Sequence, residues 1–193
     1  MKKGSLLILL LFSYFVNAQY NDCGLDKKSI ALAQLIIEDA KQLRSELICN
    51  KALSKAAHEK AKTMAKFNLI SHTIDHVTAN EFLKNNLIDL PANYHYFGNQ
   101  VEAIQGGMET AQEAFDYFMS SRSHKEHVLG ELEFYKNQKH IGVGFYRDLD
   151  TQYEYFWVVY ITGLAKDNPK QSVTKTKYKI IFQNNKKPRQ RKH

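Results

Sequence analysis

The sequence lacks any apolar run long enough to cross a membrane, and it lacks the commonest hydrolase motif. A mean hydropathy of -0.47 over 193 residues excludes a polytopic membrane protein. No Gly-x-Ser-x-Gly sequence occurs, so the nucleophile elbow of α/β-hydrolases is excluded. The hydrophobic content of 44% and the aromatic content of 12% are typical of a globular chain, and the length suits one domain with appendages.

The first 18 residues differ in kind from the rest. Two lysines precede an apolar run over residues 6–16, which is too short for a spanning helix. Residues 16–18 (VNA) place small or apolar side chains where a signal peptidase reads. We therefore predict a cleaved secretion signal over residues 1–18, a mature start near Gln19 and a secreted or periplasmic location. No charged stop-transfer flank follows, so a retained anchor is the weaker alternative and the mature chain is not expected to be transmembrane.

Cysteine is scarce, and the sequence contains two, Cys23 and Cys49. Whether they form a disulfide depends on whether the protein is exported. In an oxidising compartment an even pair favours a disulfide. Such a bond would contribute about 3–4 kcal/mol in the chain-entropy model. The alternative is two free thiols. Asn21 and Asp22 precede Cys23 and do not form a lipobox, so a lipid anchor is not expected.

The net charge of +7 is unevenly distributed. Residues 166–193 hold ten Lys or Arg and one acidic residue, whereas residues 19–165 hold fifteen basic and nineteen acidic residues. We predict a basic, disordered tail over residues 166–193 and a mildly acidic domain before it. The tail lacks the interleaved aromatic side chains of nucleic-acid binders, so nucleic acid is not an expected partner.

Helical periodicity dominates the first two thirds of the mature chain. The apolar positions predict helices over residues 29–50, 53–67, 77–86 and 110–121, with a further turn over residues 124–129. Ser29 is the expected cap of the first helix and Asn50 its expected stop. Thr110 with Glu113 fits a capping box.

After Lys139 the period changes to two. Residues 141–146 alternate, and residues 153–161 are rich in aromatic and β-branched side chains, which predicts an antiparallel hairpin. Gly142 and Gly144 indicate that another element approaches this hairpin closely. Residues 173–182 alternate weakly and suit one more strand. Helices followed by a hairpin indicate an α+β domain.

Three polar side chains, His72, Glu102 and His124, stand where predicted elements end or turn. Two imidazoles and a carboxylate are the ligand set of an open zinc site, where a bound water could be activated for hydrolysis. The alternative is that the three hydrogen-bond to one another and brace a cleft. Of the pair His124 and His127, we predict that His124 points inward and that His127 lies at the rim.

Four short sequences occur in an order that resembles the CAP superfamily, which comprises cysteine-rich secretory proteins, antigen 5 and plant pathogenesis-related proteins. They are LISH at residues 69–72, VEAI at 101–104, SRSHKEHVL at 121–129 and GVG at 142–144. The bacterial, SCP-like extracellular branch of the superfamily is the most similar. The resemblance covers residues 29–163, which gives an N-terminal segment over 19–28 and a CAP domain over 29–165.

The resemblance implies an α–β–α sandwich in which helices pack on a small antiparallel sheet. It also implies that His72, Glu102 and His124 line a central cleft. Ala103 stands where the family has an asparagine, and serines stand where many eukaryotic members carry a second cleft glutamate. A three-residue site is therefore implied rather than a four-residue one.

The sequence thus predicts an exported CAP domain whose cleft is a binding site, with zinc or another divalent metal as the cofactor to test. One alternative is a metal-dependent hydrolase with the same three residues as its catalytic candidates. The other is a cell-surface interaction module with an inert cleft, whose partner is an extracellular ligand or a cell-surface component. CAP proteins share a fold without sharing one activity, so no substrate is predicted.

Overall fold

The computed structural model describes residues 19–167. The predicted signal over 1–18, the predicted strand over 173–182 and all but the first two residues of the predicted tail lie outside the described residues. In chain order the elements are α1 (Lys27–Glu38), β1 (Ile48–Cys49), α2 (Lys51–Lys66), α3 (Ala79–Asn85), β2 (Glu102–Gly106), α4 (Ala111–Ser120), α5 (Arg122–Val128), α6 (Glu133–Lys136), β3 (His140–Arg147), β4 (Tyr155–Thr162) and a 3₁₀ turn (Ala165–Asp167). Between residues 19 and 167 no helix has the length and apolar character needed to span a membrane.

The four strands form one sheet in the order β1-β3-β4-β2. Strands β3 and β4 pair antiparallel from His140↔Thr162 to Arg147↔Tyr155, which confirms the predicted hairpin. Strand β2 pairs antiparallel with the other edge of β4, and the two-residue β1 adds to β3 in parallel. The sheet is therefore mixed, because a short parallel strand extends the antiparallel sheet expected from the sequence.

Helices cover both faces of the sheet, since side chains along β4 alternate between two cores. One core, shared with α2, contains Phe156, Val158 and Tyr160, and the other, shared with α1, α4 and α5, contains Trp157, Val159 and Ile161. All six side chains are fully buried. This arrangement confirms the predicted α+β class and the α–β–α sandwich.

The glycines of β3 allow α2 to lie directly on the sheet. A Cβ atom at Gly142 would overlap Leu53 and Ser54, and a Cβ atom at Gly144 would overlap the backbone of Ala57. The expected close approach is confirmed, and the approaching element is α2. Because α2 ends just before His72, this contact also sets where the first predicted site residue lies.

The predicted helix over residues 29–50 is wrong in length and in its cap. Helix α1 ends at Glu38, and its N-cap is Asp26, which accepts hydrogen bonds from the backbone of Lys28 and Ser29. The Ser29 hydroxyl lies within the first turn as the second half of a capping box. Asn50, the expected stop, is instead the N-cap of α2.

Tertiary contacts explain why α1 stops early. The Gln42 side chain donates to the Ile36 carbonyl, which lies in the last turn of α1, and also to the Val128 carbonyl at the end of α5. The chain then extends into β1, where the Ile48 amide donates to the Lys139 carbonyl. These side-chain and sheet contacts replace the helical bonds that residues 39–50 would otherwise form.

The predicted disulfide joins Cys23 and Cys49. No free cysteine occurs among residues 19–167. Cys49 lies in β1, so the bond ties the N-terminal segment to the edge of the sheet rather than to the end of a long helix. The same segment bonds to the sheet through its backbone, since the Val143 amide donates to the Cys23 carbonyl.

Helix α4 begins as the sequence predicts, because Thr110 and Glu113 form the expected capping box. Ser121 ends α4 and also starts α5, which begins at Arg122, two residues earlier than expected. The short α5 carries both His124 and His127. The position of α5 against the sheet therefore determines where the two imidazole rings lie.

Candidate functional site

A pocket of about 220 Å³ opens between the start of β2 and helix α5. The structure places all three predicted site residues around it. His72 follows the end of α2, Glu102 is the first residue of β2, and His124 lies on α5. Residues far apart in the sequence are brought together because α5 packs against β2 and β4 of the sheet. The remaining lining is also mostly polar and comprises Asn99, Gln100, Val101, Ser123, His127 and Tyr135.

Glu102 is the buried centre of the cleft. One carboxylate oxygen, Oε1, lies 2.8 Å from Nδ1 of His72, and the other, Oε2, accepts a hydrogen bond of 2.8 Å from the Tyr160 hydroxyl. Nζ of Lys60 lies 3.9 Å from Oε2. The side chains of Lys60 and Glu102 are 1% and 0% exposed. Burial, together with the neighbouring carboxylate, raises the pKa of Tyr160 well above its ordinary value, so this hydroxyl is neutral and donates.

Lys60 connects the body of α2 to the cleft. Its ammonium donates to the backbone carbonyl of His72 at 3.2 Å. Burial lowers the pKa of Lys60, and the charge of Glu102 opposes that shift. Because a buried ammonium needs compensation, this lysine and Glu102 depend on each other for stability.

Asn99 fixes the entry into β2 beside the cleft. Its side-chain oxygen accepts from the backbone of Val101 and Glu102, and its amide donates to the Glu102 carbonyl at 2.9 Å. The same amide nitrogen lies 2.9 Å from Nδ1 of His72. That ring nitrogen cannot accept from Asn99 while it donates to Glu102, and the buried carboxylate is the stronger partner. We therefore place a proton on Nδ1, which leaves Nε2 of His72 as a free acceptor.

His124 lies near two aromatic rings of α4. Its ring centroid lies 5.2 Å from that of Phe118, edge to face, and 6.2 Å from that of Tyr117. Nδ1 of His124 is buried and has no hydrogen-bond partner within residues 19–167. Burial lowers the pKa of His124, and the nearby His72 lowers it further. The imidazole is therefore favoured in its neutral form, and its Nδ1 is a ring nitrogen that the described residues leave without a partner.

His127 does not lie at the rim, and that prediction is wrong. The residue is 4% exposed, lies against the Tyr135 ring at 4.9 Å between centroids, and donates from Nε2 to the Ile161 carbonyl. Burial lowers the pKa of His127 to about 3, and the charge of Arg44 lowers it in the same direction. Helical spacing places His124 and His127 on one face of α5, and His127 reaches β4 through its bond to the Ile161 carbonyl.

Arg44, which sequence patterns did not single out, secures α5. Its guanidinium is buried and donates to the carbonyls of His127 at 2.7 Å, Val128 at 2.9 Å and Tyr135 at 3.0 Å. Burial lowers the pKa of Arg44 to about 10. A cation at a helix C-terminus satisfies carbonyls that have no partner in the helix. Arg44 therefore positions the helix that carries His124 and His127.

The donor set of the cleft differs from the predicted centre of two histidines and a glutamate. Within residues 19–167 no group of three or more His, Cys, Asp or Glu side chains is placed to hold a metal ion. Each oxygen of Glu102 instead lies in a short hydrogen bond, one with His72 and the other with Tyr160. The nitrogens left for a ligand are those of His72 and His124.

Acidification is expected to destabilise the domain through His127. The folded protein holds His127 neutral down to a pKa of about 3, whereas the unfolded chain takes up a proton near pH 6.5. Between these values the unfolded state binds more protons, so stability falls as the pH falls. The loss attributable to His127 is about 2 kcal/mol on going from pH 7 to pH 5. Urea unfolding at the two pH values measures this loss.

The variant His127→Gln provides the control, because its amide can still donate to the Ile161 carbonyl but takes up no proton. Its stability should fall by about 2 kcal/mol less than that of the natural protein over the same pH range. Equal losses in the two proteins would show that His127 does not cause the acid sensitivity.

The chain is similar to known proteins in both sequence and fold. A family model described as the cysteine-rich secretory protein family, CAP, matches residues 40–161, which include His72, Glu102 and His124. Among solved structures, an outer surface protein from Borrelia burgdorferi matches with a TM-score of 0.53 and 22% identity, covering 72% of this chain and 96% of that one. At this identity the likeness shows the fold alone. No curated protein sequence matches significantly.

Proposed function

Because the chain belongs to the cysteine-rich secretory protein family, CAP, we propose that it is an exported binding domain whose cleft takes a divalent metal ion, such as zinc, on His72 and His124. The hydrogen bond from Nδ1 of His72 to Glu102 is the observation that carries this proposal. It fixes the tautomer and leaves Nε2 of His72 as an acceptor. A metal-ligating histidine commonly donates its other N–H to a carboxylate in this way.

In this site Glu102 orients the His72 ring and is not itself a metal ligand. Its carboxylate holds the His72 ring while the Tyr160 hydroxyl and the Lys60 ammonium hold the carboxylate. Two protein nitrogens leave coordination positions open, and an ion bound there would supply Lewis-acid chemistry to a bound water or to a further ligand.

Export is the second part of the proposal. Residues 1–18 have the pattern of a secretion signal, and the disulfide between Cys23 and Cys49 supports an oxidising compartment. The similar fold of an outer surface protein is in keeping with a location outside the cytoplasm. We also propose that the chain belongs to the bacterial branch of the family, which residues 69–72 (LISH) and 101–104 (VEAI) resemble.

Zinc titration followed by calorimetry tests the metal site. We expect one site in the natural protein and no binding at that site in the double variant His72→Asn/His124→Asn. The variant Glu102→Gln should bind about 10- to 100-fold more weakly, because it disturbs the group that orients a ligand. His76→Asn/His95→Asn, which changes two exposed histidines outside the pocket, is the matched control and should bind like the natural protein. Equal zinc affinity in the two double variants would contradict the proposal.

A further inference from the structure

Helix α3 ends with a leucine, Leu87, in a left-handed backbone conformation. The amide of Ile88 donates to the Leu83 carbonyl and the amide of Leu87 donates to the Lys84 carbonyl, which is the hydrogen-bond pattern of a Schellman motif. That motif needs a left-handed residue directly after the C-cap, a place that glycine most often fills. Here the residue is Leu87, with φ of +61°. A bulky side chain in this conformation strains the backbone.

The side chain of Leu87 points into solvent. It is 93% exposed, the largest exposure among the exposed large apolar residues of the described chain. Ile88, the next residue, is buried and completes the hydrophobic contact that usually accompanies the motif. Leu87 therefore contributes strain and exposed apolar surface while the helix end obtains its stability from Ile88. A glycine would serve the isolated fold better, so the leucine is suited to a contact outside this chain.

A cavity lies directly beside Leu87. Its volume is about 330 Å³, and its apolar lining includes Ile88, Leu164 and Ala52 in addition to Leu87 itself. A protruding leucine thus stands next to an apolar hollow that is large enough to accept such a side chain.

Two charges of opposite sign border this cavity. Asp89 and Lys166 both line it, both are exposed, and neither forms an ion pair within residues 19–167. A contact across a two-fold axis requires a surface that is complementary to itself, so that each group on one copy meets its counterpart on the other. A protruding leucine with a hollow, and an acid with a base, meet this requirement.

We propose that the surface formed by Leu87, Ile88, Asp89, Leu164 and Lys166 is a self-association interface that occupies a two-fold axis between two copies of this chain. Leu87 of each copy enters the cavity of the other, and Asp89 of each copy pairs with Lys166 of the other. The pocket lined by His72 and His124 shares none of these residues.

Sedimentation equilibrium of the purified full chain, with thermal unfolding measured in parallel, tests the interface. The variant Leu87→Gly should lower the association constant by about tenfold or more, because it removes the central contact. At the same time, at a concentration where both proteins are monomeric, it should raise Tm by about 2–4 °C, because glycine relieves the left-handed strain. A leucine that is merely exposed predicts the rise in Tm without any change in association. Leu149→Gly, which removes a leucine that is 62% exposed in the β3–β4 turn, is the control and should associate normally.

A charge exchange tests the geometry of the contact. Asp89→Lys and Lys166→Asp should each weaken association, and the double variant should restore it. A natural chain that stays monomeric at all concentrations overturns the proposal. The same result is expected if residues 168–193 or another protein cover the cavity, so that outcome also counts against self-association. Dimers that persist in Leu87→Gly, or a double variant that fails to restore association, also overturn it.

Discussion

Replacement of Glu102 by alanine is expected to lower the free energy of unfolding by about 3–5 kcal/mol. The substitution leaves the ammonium of Lys60, which is 1% exposed, without its carboxylate. It also removes the acceptor of the Tyr160 hydroxyl and of Nδ1 of His72. Breaking one side of a buried ion pair costs far more than the pair contributes, because the remaining charge stays desolvated. Guanidinium unfolding monitored by the fluorescence of Trp157 measures the change.

Two comparisons separate the buried charge from a general loss of packing. Glu59→Ala removes an exposed glutamate of α2 and should change stability by no more than about 0.5 kcal/mol. Lys60→Met/Glu102→Leu removes both charges together and should be more stable than Glu102→Ala, because two apolar groups can replace a buried pair at little cost. If the double variant is as unstable as Glu102→Ala, the desolvated lysine is not the cause.

Site residues could be predicted from the sequence where a polar side chain lies at the end of a predicted helix or strand. His72 lies after α2, Glu102 begins β2 and His124 lies in the first turn of α5, and the structure brings the three to one pocket. Lys60 was missed, although it lies on the apolar face of α2 together with Ala57 and Ala61, and a lysine on such a face is a signal of a buried partner. Its partner could not be named in advance, because the pairing depends on how α2 crosses the sheet.

Arg44 and Tyr160 show a different limit. Arg44 lies in a segment without regular structure, and its three carbonyl partners come from the end of α5 and from α6. No local pattern marks a residue of this kind. Tyr160 lies in a strand that was predicted, but both faces of β4 are buried, so alternation does not tell which hydroxyl meets Glu102.

The fold was predictable to the extent that local signals agree with tertiary contacts. The hairpin, α2 and the capping box of α4 combine a clear period with clear caps, and each is confirmed. The helix predicted over residues 29–50 is too long because residues 40–47 continue the helical period of apolar side chains. There the sheet pairing of Cys49 and the side-chain bonds of Gln42 outweigh a modest helical preference.

Replacement of Gly144 by alanine is expected to lower the free energy of unfolding by about 3 kcal/mol or more. The added Cβ would overlap the carbonyl group of Ala57 and the amide nitrogen of His58, which belong to the backbone of α2. A side chain can rotate away from such an overlap, but a helix backbone can move only as a unit. Helix α2 would have to shift away from β3, taking Lys60 and the His72 loop with it. Chemical denaturation measures the loss.

The Gly163→Ala variant is the matched control for this prediction, because a Cβ there would lie 3.4 Å from Pro91 and 3.5 Å from the Tyr94 hydroxyl, which is ordinary contact. Its stability should change by no more than about 1 kcal/mol. The double variant Gly144→Ala/Ala57→Gly should remain as unstable as Gly144→Ala, because the overlapping atoms are backbone atoms that Ala57→Gly does not remove. Recovery of stability in that double variant would show that side-chain crowding, rather than contact between the helix backbone and the sheet, makes the glycine necessary.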